Sequence, residues 1–148
     1  MKPKLIIGNK NYSTWSLRPW LLMKEAGIEF DEHRILLDTP TTAKEIAEFS
    51  NAGKVPILQL GDVTVWDSLA IAEIVAERWP EKKLWPEDPG ERAHARANLT
   101  ACARAPDLFD VEFEVIAGAG RLGHGCRAAR REAEREAAEQ AEGHEGPR

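Results

Sequence analysis

Cysteine is nearly missing from this chain: its 148 residues hold two, Cys102 and Cys126. Two thiols so far apart supply neither a disulfide framework nor the paired spacing of a metal knuckle, so no metal is expected. No apolar run approaches the ~20 residues that a membrane helix needs. The stretch Leu5-Ile6-Ile7, behind Lys2 and Lys4, is too short for a signal peptide. No membrane partner is expected, and the cytoplasm is the default location. An excess of basic residues is also lacking. The net charge is -5 and the pI about 5.4, whereas a nucleic-acid footprint is basic. Nucleic acid is therefore excluded as a partner.

What is present is unevenly spread. The five Trp residues (15, 20, 66, 79 and 85) all precede position 90, and the last Lys is Lys83. Arg behaves oppositely, with three residues before Lys83 and nine after it. Beyond Leu122 the only apolar residues are Ala and Cys126. The core-forming material thus lies in roughly the first 90 residues.

Leu5-Ile6-Ile7 reads as a short buried strand. Gly8 to Ser16 is polar and loop-like. A helix is expected next, with Pro19 in its first turn and Gly27 as its stop. Glu29 to Leu37 reads as a second strand. Thr42-Ala43-Lys44-Glu45 fits a capping box opening a helix that runs toward Gly53. The stretch Gly53 to Ser68 reads as loop, strand, Gly61-Asp62 turn, strand and helix start. The helix from Ser68 ends before Pro80. The order is β-α-β-α-β-β-α. The first unit should pair its strands in parallel through a right-handed crossover, and the last two strands must be antiparallel neighbours. That gives an α/β, thioredoxin-like sheet with helices on both faces. The expected division is residues 1–83 as this domain, 84–90 as a linker, and 91–148 as a short, atypical, partly helical or disordered C-terminal segment. Within that segment Glu91 to Ala105 can form a helix, Asp107 to Ile116 alternates as a strand would, and Ala128 to Glu142 is a polar Ala/Arg/Glu run.

A thioredoxin-like sheet with redox chemistry needs a Cys where the first helix starts. Here that segment is Asn11-Tyr12-Ser13-Thr14-Trp15-Ser16-Leu17-Arg18-Pro19-Trp20, so thiol–disulfide exchange by the protein itself is not expected. The segment offers hydroxyls instead. A hydroxyl near a helix N-terminus can donate a hydrogen bond to a bound thiolate, and the helix dipole favours the same charge. Ser16 reads as the helix N-cap, while Ser13 lies further out and is freer to meet a ligand. Arg18 fits a structural role, steadying the loop or pairing with an acid. In the Gly53–Ser68 stretch, Val55-Pro56 can present backbone polar groups at a sheet edge. Asp67-Ser68 sits where a helix start leaves N–H groups unpaired. An ordinary hairpin with an N-cap fits that stretch equally well.

The pieces Asn11 to Trp20, Gly53-Lys54-Val55-Pro56-Ile57-Leu58, Asp67-Ser68-Leu69-Ala70-Ile71 and Leu84-Trp85-Pro86 together resemble the N-terminal domain of bacterial glutathione S-transferases. The resemblance covers about residues 4 to 96 and is nearest the serine-type group that includes the zeta-class, maleylacetoacetate isomerase-like enzymes. It implies glutathione as co-substrate and a small electrophile as second substrate, and it leaves a homodimer open. It implies a cis Pro56, with the Val55 backbone pairing with the cysteinyl unit of glutathione. Asp67 and Ser68 would hold the γ-glutamyl end, and Lys54 would lie near the glycyl carboxylate, although a solvated loop lysine fits that position as well. Ser13 would be the catalytic partner of the thiolate, with Thr14 and Ser16 as second choices.

After about Ala97 the match fades. The expectation for this region is a truncated, degenerate or frame-shifted remnant of the family's helical C-terminal domain. Glutathione binding would then be weak and turnover low. The competing readings are a glutathione-dependent isomerase, a non-catalytic thioredoxin-fold binding module, and a truncated inactive product.

Overall fold

The computed structural model describes residues 2–10 and 13–100, together with Arg131 and Arg135. The elements run β1 (Lys4–Ile7), α1 (Thr14–Glu25), β2 (Asp31–Arg34), α2 (Thr42–Ala47), β3 (Ile57–Leu60), β4 (Val63–Trp66), α3 (Ser68–Arg78), a 3-10 turn (Pro80–Lys82) and α4 (Pro89–Thr100). The sheet has four strands in the order β2-β1-β3-β4. β1 and β2 are parallel, with Leu5 opposite Glu32, as the intervening helix requires. β3 is antiparallel to β1, and β4 to β3, with Leu60 opposite Val63 across the Gly61-Asp62 turn. This is the thioredoxin-like α/β fold the element order implied.

Strand alternation divides the core into two layers. Leu5 and Ile7 of β1 and Leu58 of β3 face α1 and α3, where they join Trp20, Leu21, Ile71 and Val75. Ile6 and Ile57 face the opposite side and meet Ile35 and Ile46, the latter from α2. A one-residue slip of either strand would exchange these faces, so the register is fixed by burial on both sides. Leu84 and Leu99 join the α1/α3 layer, so the chain folds back beyond the last strand and α4 covers part of α3.

Two helix starts differ from the sequence reading. The first helix begins at Thr14 with Ser13 as its N-cap, and Ser16 is inside it. Ser16 is not a cap because its hydroxyl accepts the Gly8 N–H at 2.9 Å and is fully buried. Pro19 consequently lies in the second turn of the helix. The capping box at Thr42 is not formed either. Thr42 Oγ1 donates to Leu36 O and accepts from Thr39 N, so Thr41 becomes the N-cap and α2 is short. At the other end of α1 the structure agrees with the sequence. Gly27 has φ +64°, and the bonds from Gly27 N to Lys24 O and from Ile28 N to Met23 O close the helix as a Schellman motif. The second strand is shorter than expected, Asp31–Arg34 within Glu29 to Leu37. The strand read at Asp107 to Ile116 lies outside the described residues. Of the Ala128 to Glu142 run only Arg131 and Arg135 are described, both helical and exposed. No helix among the described residues is long and apolar enough to cross a membrane.

Candidate functional site

A cleft of about 500 Å³ opens where the loop before β3, the end of β4 and the starts of α1 and α3 converge. Its lining consists of Trp15, Ala52, Lys54, Val55, Pro56, Trp66, Asp67 and Ser68. The fold therefore brings together Lys54, Val55, Pro56, Asp67 and Ser68, residues separated by up to fourteen positions in sequence. Ser13 is not among the lining residues. It lies just outside, two positions before Trp15, at the N-cap of α1.

Each wall follows from a local choice of residues. The Val55–Pro56 peptide is cis, and β3 starts at the next residue, Ile57. Pro56 is buried while Val55 is half-buried and Lys54 exposed. Asp67 caps α3: its Oδ1 accepts the Leu69 N–H at 2.8 Å. It does so with φ +76° and ψ 136°, a left-handed conformation that costs a non-glycine residue about 1–3 kcal/mol and tends to occur at functional sites. The first helical bond of α3 runs from Ile71 N to Asp67 O. The Ser68 and Ala70 N–H groups at this helix start consequently have no acceptor within the helix. They lie at the positive end of the helix dipole, which suits a carboxylate.

Ser68 is almost fully buried, and its hydroxyl donates to Trp15 O at 2.8 Å. Its one hydrogen is thus committed across the cleft to α1. Ser13 Oγ donates to Ser16 Oγ at 2.9 Å, which in turn holds the Gly8 N–H. The loop leading to Ser13 is pinned at several points. Ser13 N donates to Asn9 O, Leu37 N donates to Asn9 Oδ1, and Lys10 Nζ lies 2.9 Å from Glu32 Oε1. The Trp20 indole N–H donates to the same carboxylate, and Lys10 sits 4.3 Å from the Trp20 ring centroid.

Trp15 and Trp66 line the cleft and are not singled out by the sequence reading. They are 37% and 53% exposed. The available signal is their adjacency to Thr14 and Asp67, but tryptophan in an apolar segment more often belongs to a core. Arg18 is buried, with partners that the sequence does not suggest. Its guanidinium lies 4.5 Å from the Trp15 ring centroid, and Nη1 donates to Leu99 O at 2.6 Å. The buried Arg18 thereby links the Trp15 wall to the end of α4.

Residues 12–78 match the family model described as the glutathione S-transferase, N-terminal domain. A probable maleylacetoacetate isomerase of Caenorhabditis elegans is 32% identical over 96 residues, covering 65% of this chain and 44% of that protein. A maleylacetoacetate isomerase of Rattus norvegicus is 31% identical over a stretch covering 64% and 44%. The chain thus spans less than half the length of these curated relatives. Among solved structures, a glutathione transferase homologue from Burkholderia with bound glutathione aligns over 95% of this chain and 98% of its own, with a TM-score of 0.63 and 18% identity. Human glutathione transferase theta-2 aligns over 66% of this chain and 40% of its own, with a TM-score of 0.57 and 24% identity. At such identities the structural likeness speaks to the fold, and the sequence match to the family. Residues 12–78 thus match the N-terminal domain of the glutathione S-transferase family, and their fold is its thioredoxin-like one.

Proposed function

We propose that the cleft binds glutathione and that the chain activates its thiol for attack on a small electrophile, in the cytoplasm. The observation that carries this reading is the convergence of groups complementary to one tripeptide within a single cleft. The Asp67 carboxylate suits the γ-glutamyl ammonium, and the Ser68 and Ala70 N–H groups suit the neighbouring carboxylate. The Val55 backbone suits the cysteinyl amide as an added strand would, and Lys54 suits the glycyl carboxylate. Ser13 is the group assigned to the thiolate. To donate to sulfur, its hydroxyl must turn away from Ser16. The exchange is favourable because a hydrogen bond to an anion is roughly twice as strong as a neutral one. The thiol proton leaves to solvent, and the thiolate is the nucleophile.

A glutathione-dependent cis–trans isomerase is the second reading. It is favoured by the two maleylacetoacetate isomerases, whose matches reach across about two-thirds of this chain. Both readings share the glutathione site and part only at the electrophile.

Titration calorimetry with reduced glutathione tests the first step. Measurable heat with one site per chain is expected, and its absence from a folded sample refutes the reading. The thiolate absorbance of bound glutathione, followed against pH, tests the second. Ser13→Ala should raise the thiol pKa and cut conjugation about ten-fold, the effect of removing a hydrogen bond to a charged group. An unchanged titration removes Ser13 from the role.

A further inference from the structure

Lys10 is a buried cation in the loop that leads to Ser13, with a side chain only 3% exposed. Burying an ammonium is costly unless it is paired. Its Nζ lies 2.9 Å from Glu32 Oε1 and 4.3 Å from the Trp20 ring centroid. The other carboxylate oxygen, Glu32 Oε2, accepts the Trp20 indole N–H at 2.7 Å. Glu32 stands opposite Leu5 in the sheet and so shares the face that α1 covers. One carboxylate thus ties the loop to β2 and to α1. The neighbouring residues are held from the same side. Asn9 Oδ1 accepts the Leu37 N–H at 2.8 Å, just beyond β2, and Asn9 O accepts the Ser13 N–H at 2.9 Å. A Cβ on Gly8 would run into the Leu37 side chain, so the loop lies tight against this segment.

We propose that the Lys10–Glu32 pair is a positioning device: it fixes the loop before α1 so that the Ser13 hydroxyl stands where a bound thiolate meets it. A buried ion pair adds little net stability, because desolvation offsets the attraction, and its best-attested use is to fix register. Lys10 and Glu32 act through Ser13 and not on the sulfur. The proposal deepens the glutathione reading and rests on it for its ligand half. A direct effect of the buried ammonium's charge is the rival, and it predicts the opposite sign at Glu32.

The test uses Lys10→Met and Glu32→Gln in the full chain, the latter keeping an acceptor for Trp20. The readout is the thiolate absorbance of bound glutathione against pH. In each variant the ionisation constant of the bound thiol should fall about three-fold or more, part of the loss expected when a hydrogen bond to a charged group is removed outright. Lys10→Arg, which keeps the charge, should stay within about two-fold of wild type. Opposite shifts in Lys10→Met and Glu32→Gln overturn positioning in favour of direct charge. In a Ser13→Ala background Lys10→Met should have less than about a two-fold effect, and a full effect there overturns the route through Ser13. Affinity measured in acid, where the bound thiol keeps its proton, should stay within about two-fold, since the Lys54 to Ser68 wall is untouched. An equal loss there marks general damage and overturns the positioning role. If a single variant does not fold, the Lys10→Met/Glu32→Gln double variant leaves no unpaired charge and carries the same test: a lowered ionisation constant supports the pin and an unchanged one overturns it. No glutathione binding by the wild type overturns the functional reading, and hydrogen exchange in the ligand-free chain then decides the pin. Lys10→Met should speed exchange at the Ser13 amide about ten-fold or more and leave the α3 amides unchanged. Unchanged exchange at Ser13 overturns it.

Discussion

Asp67 carries three separable burdens, and three substitutions pull them apart. Its side chain caps α3, its backbone holds φ +76°, and its carboxylate faces the cleft. Loss of an N-cap acceptor costs about 1 kcal/mol. The backbone at φ +76° and ψ 136°, outside the αL well that Asp tolerates, costs about 1–3 kcal/mol. Asp67→Ala removes the cap and keeps the strained backbone, so it should destabilise by about 1 kcal/mol. Asp67→Asn keeps the cap geometry and leaves the backbone strain unchanged, and should stay within about 0.5 kcal/mol of wild type. Asp67→Gly loses a few tenths at the cap and about 0.7 kcal/mol to unfolded-state entropy, and regains about 1 kcal/mol of strain, for a net near zero. All three lack the carboxylate, so all three should bind glutathione at least ten-fold more weakly if it pairs with the ammonium. Urea unfolding gives the stability order Asn ≈ Gly > Ala, and calorimetry gives the common loss of affinity. An Asp67→Gly protein as unstable as Asp67→Ala would refute the strain argument. Wild-type affinity in Asp67→Asn would refute the pairing with the ligand.

Leu58 is fully buried between the sheet and the α1/α3 layer, so Leu58→Ala should cost about 2–5 kcal/mol, whereas Leu36→Ala, at 44% exposure, should change the urea midpoint little. Burial pushes the Glu25 carboxyl above its ordinary range. The folded chain therefore holds that proton more tightly than the unfolded chain. The stability contributed by the protonated form is present at low pH and is lost as the pH rises through the folded value. Glu25→Gln should thus be slightly more stable than wild type at neutral pH, where the charge also lies unfavourably at the end of α1, and the difference should vanish in acid. Urea midpoints that fail to converge in acid would remove burial as the cause.

Much of the fold is legible in the sequence because it rests on local signals. The apolar run Leu5-Ile6-Ile7, Gly27 as a helix stop and the Gly61-Asp62 hairpin each depend on neighbours a few residues away, and each appears as read. The start of α1 is misread because Ser16 looks like a cap until Gly8 is folded against it. The Thr42 box fails for a similar reason, its hydroxyl being drawn to Leu36. The candidate residues from Lys54 to Ser68 do share one cleft, but Trp15 and Trp66 escape notice because no local rule tells a cleft-lining tryptophan from a core one.

The sequence by itself determined the element order, the resemblance of its first domain to one family, and the set of polar groups that a tripeptide could meet. Periodicity, turn chemistry and motif spacing are properties of contiguous residues. Only the tertiary structure decided how those groups are spent. The Ser68 hydrogen goes to Trp15 and the Ser13 hydrogen to Ser16, while Arg18 is enclosed between a ring and the end of α4. The physical reason is that a hydroxyl has one hydrogen. Which acceptor takes it depends on residues brought close only when α1, α3 and the sheet pack together.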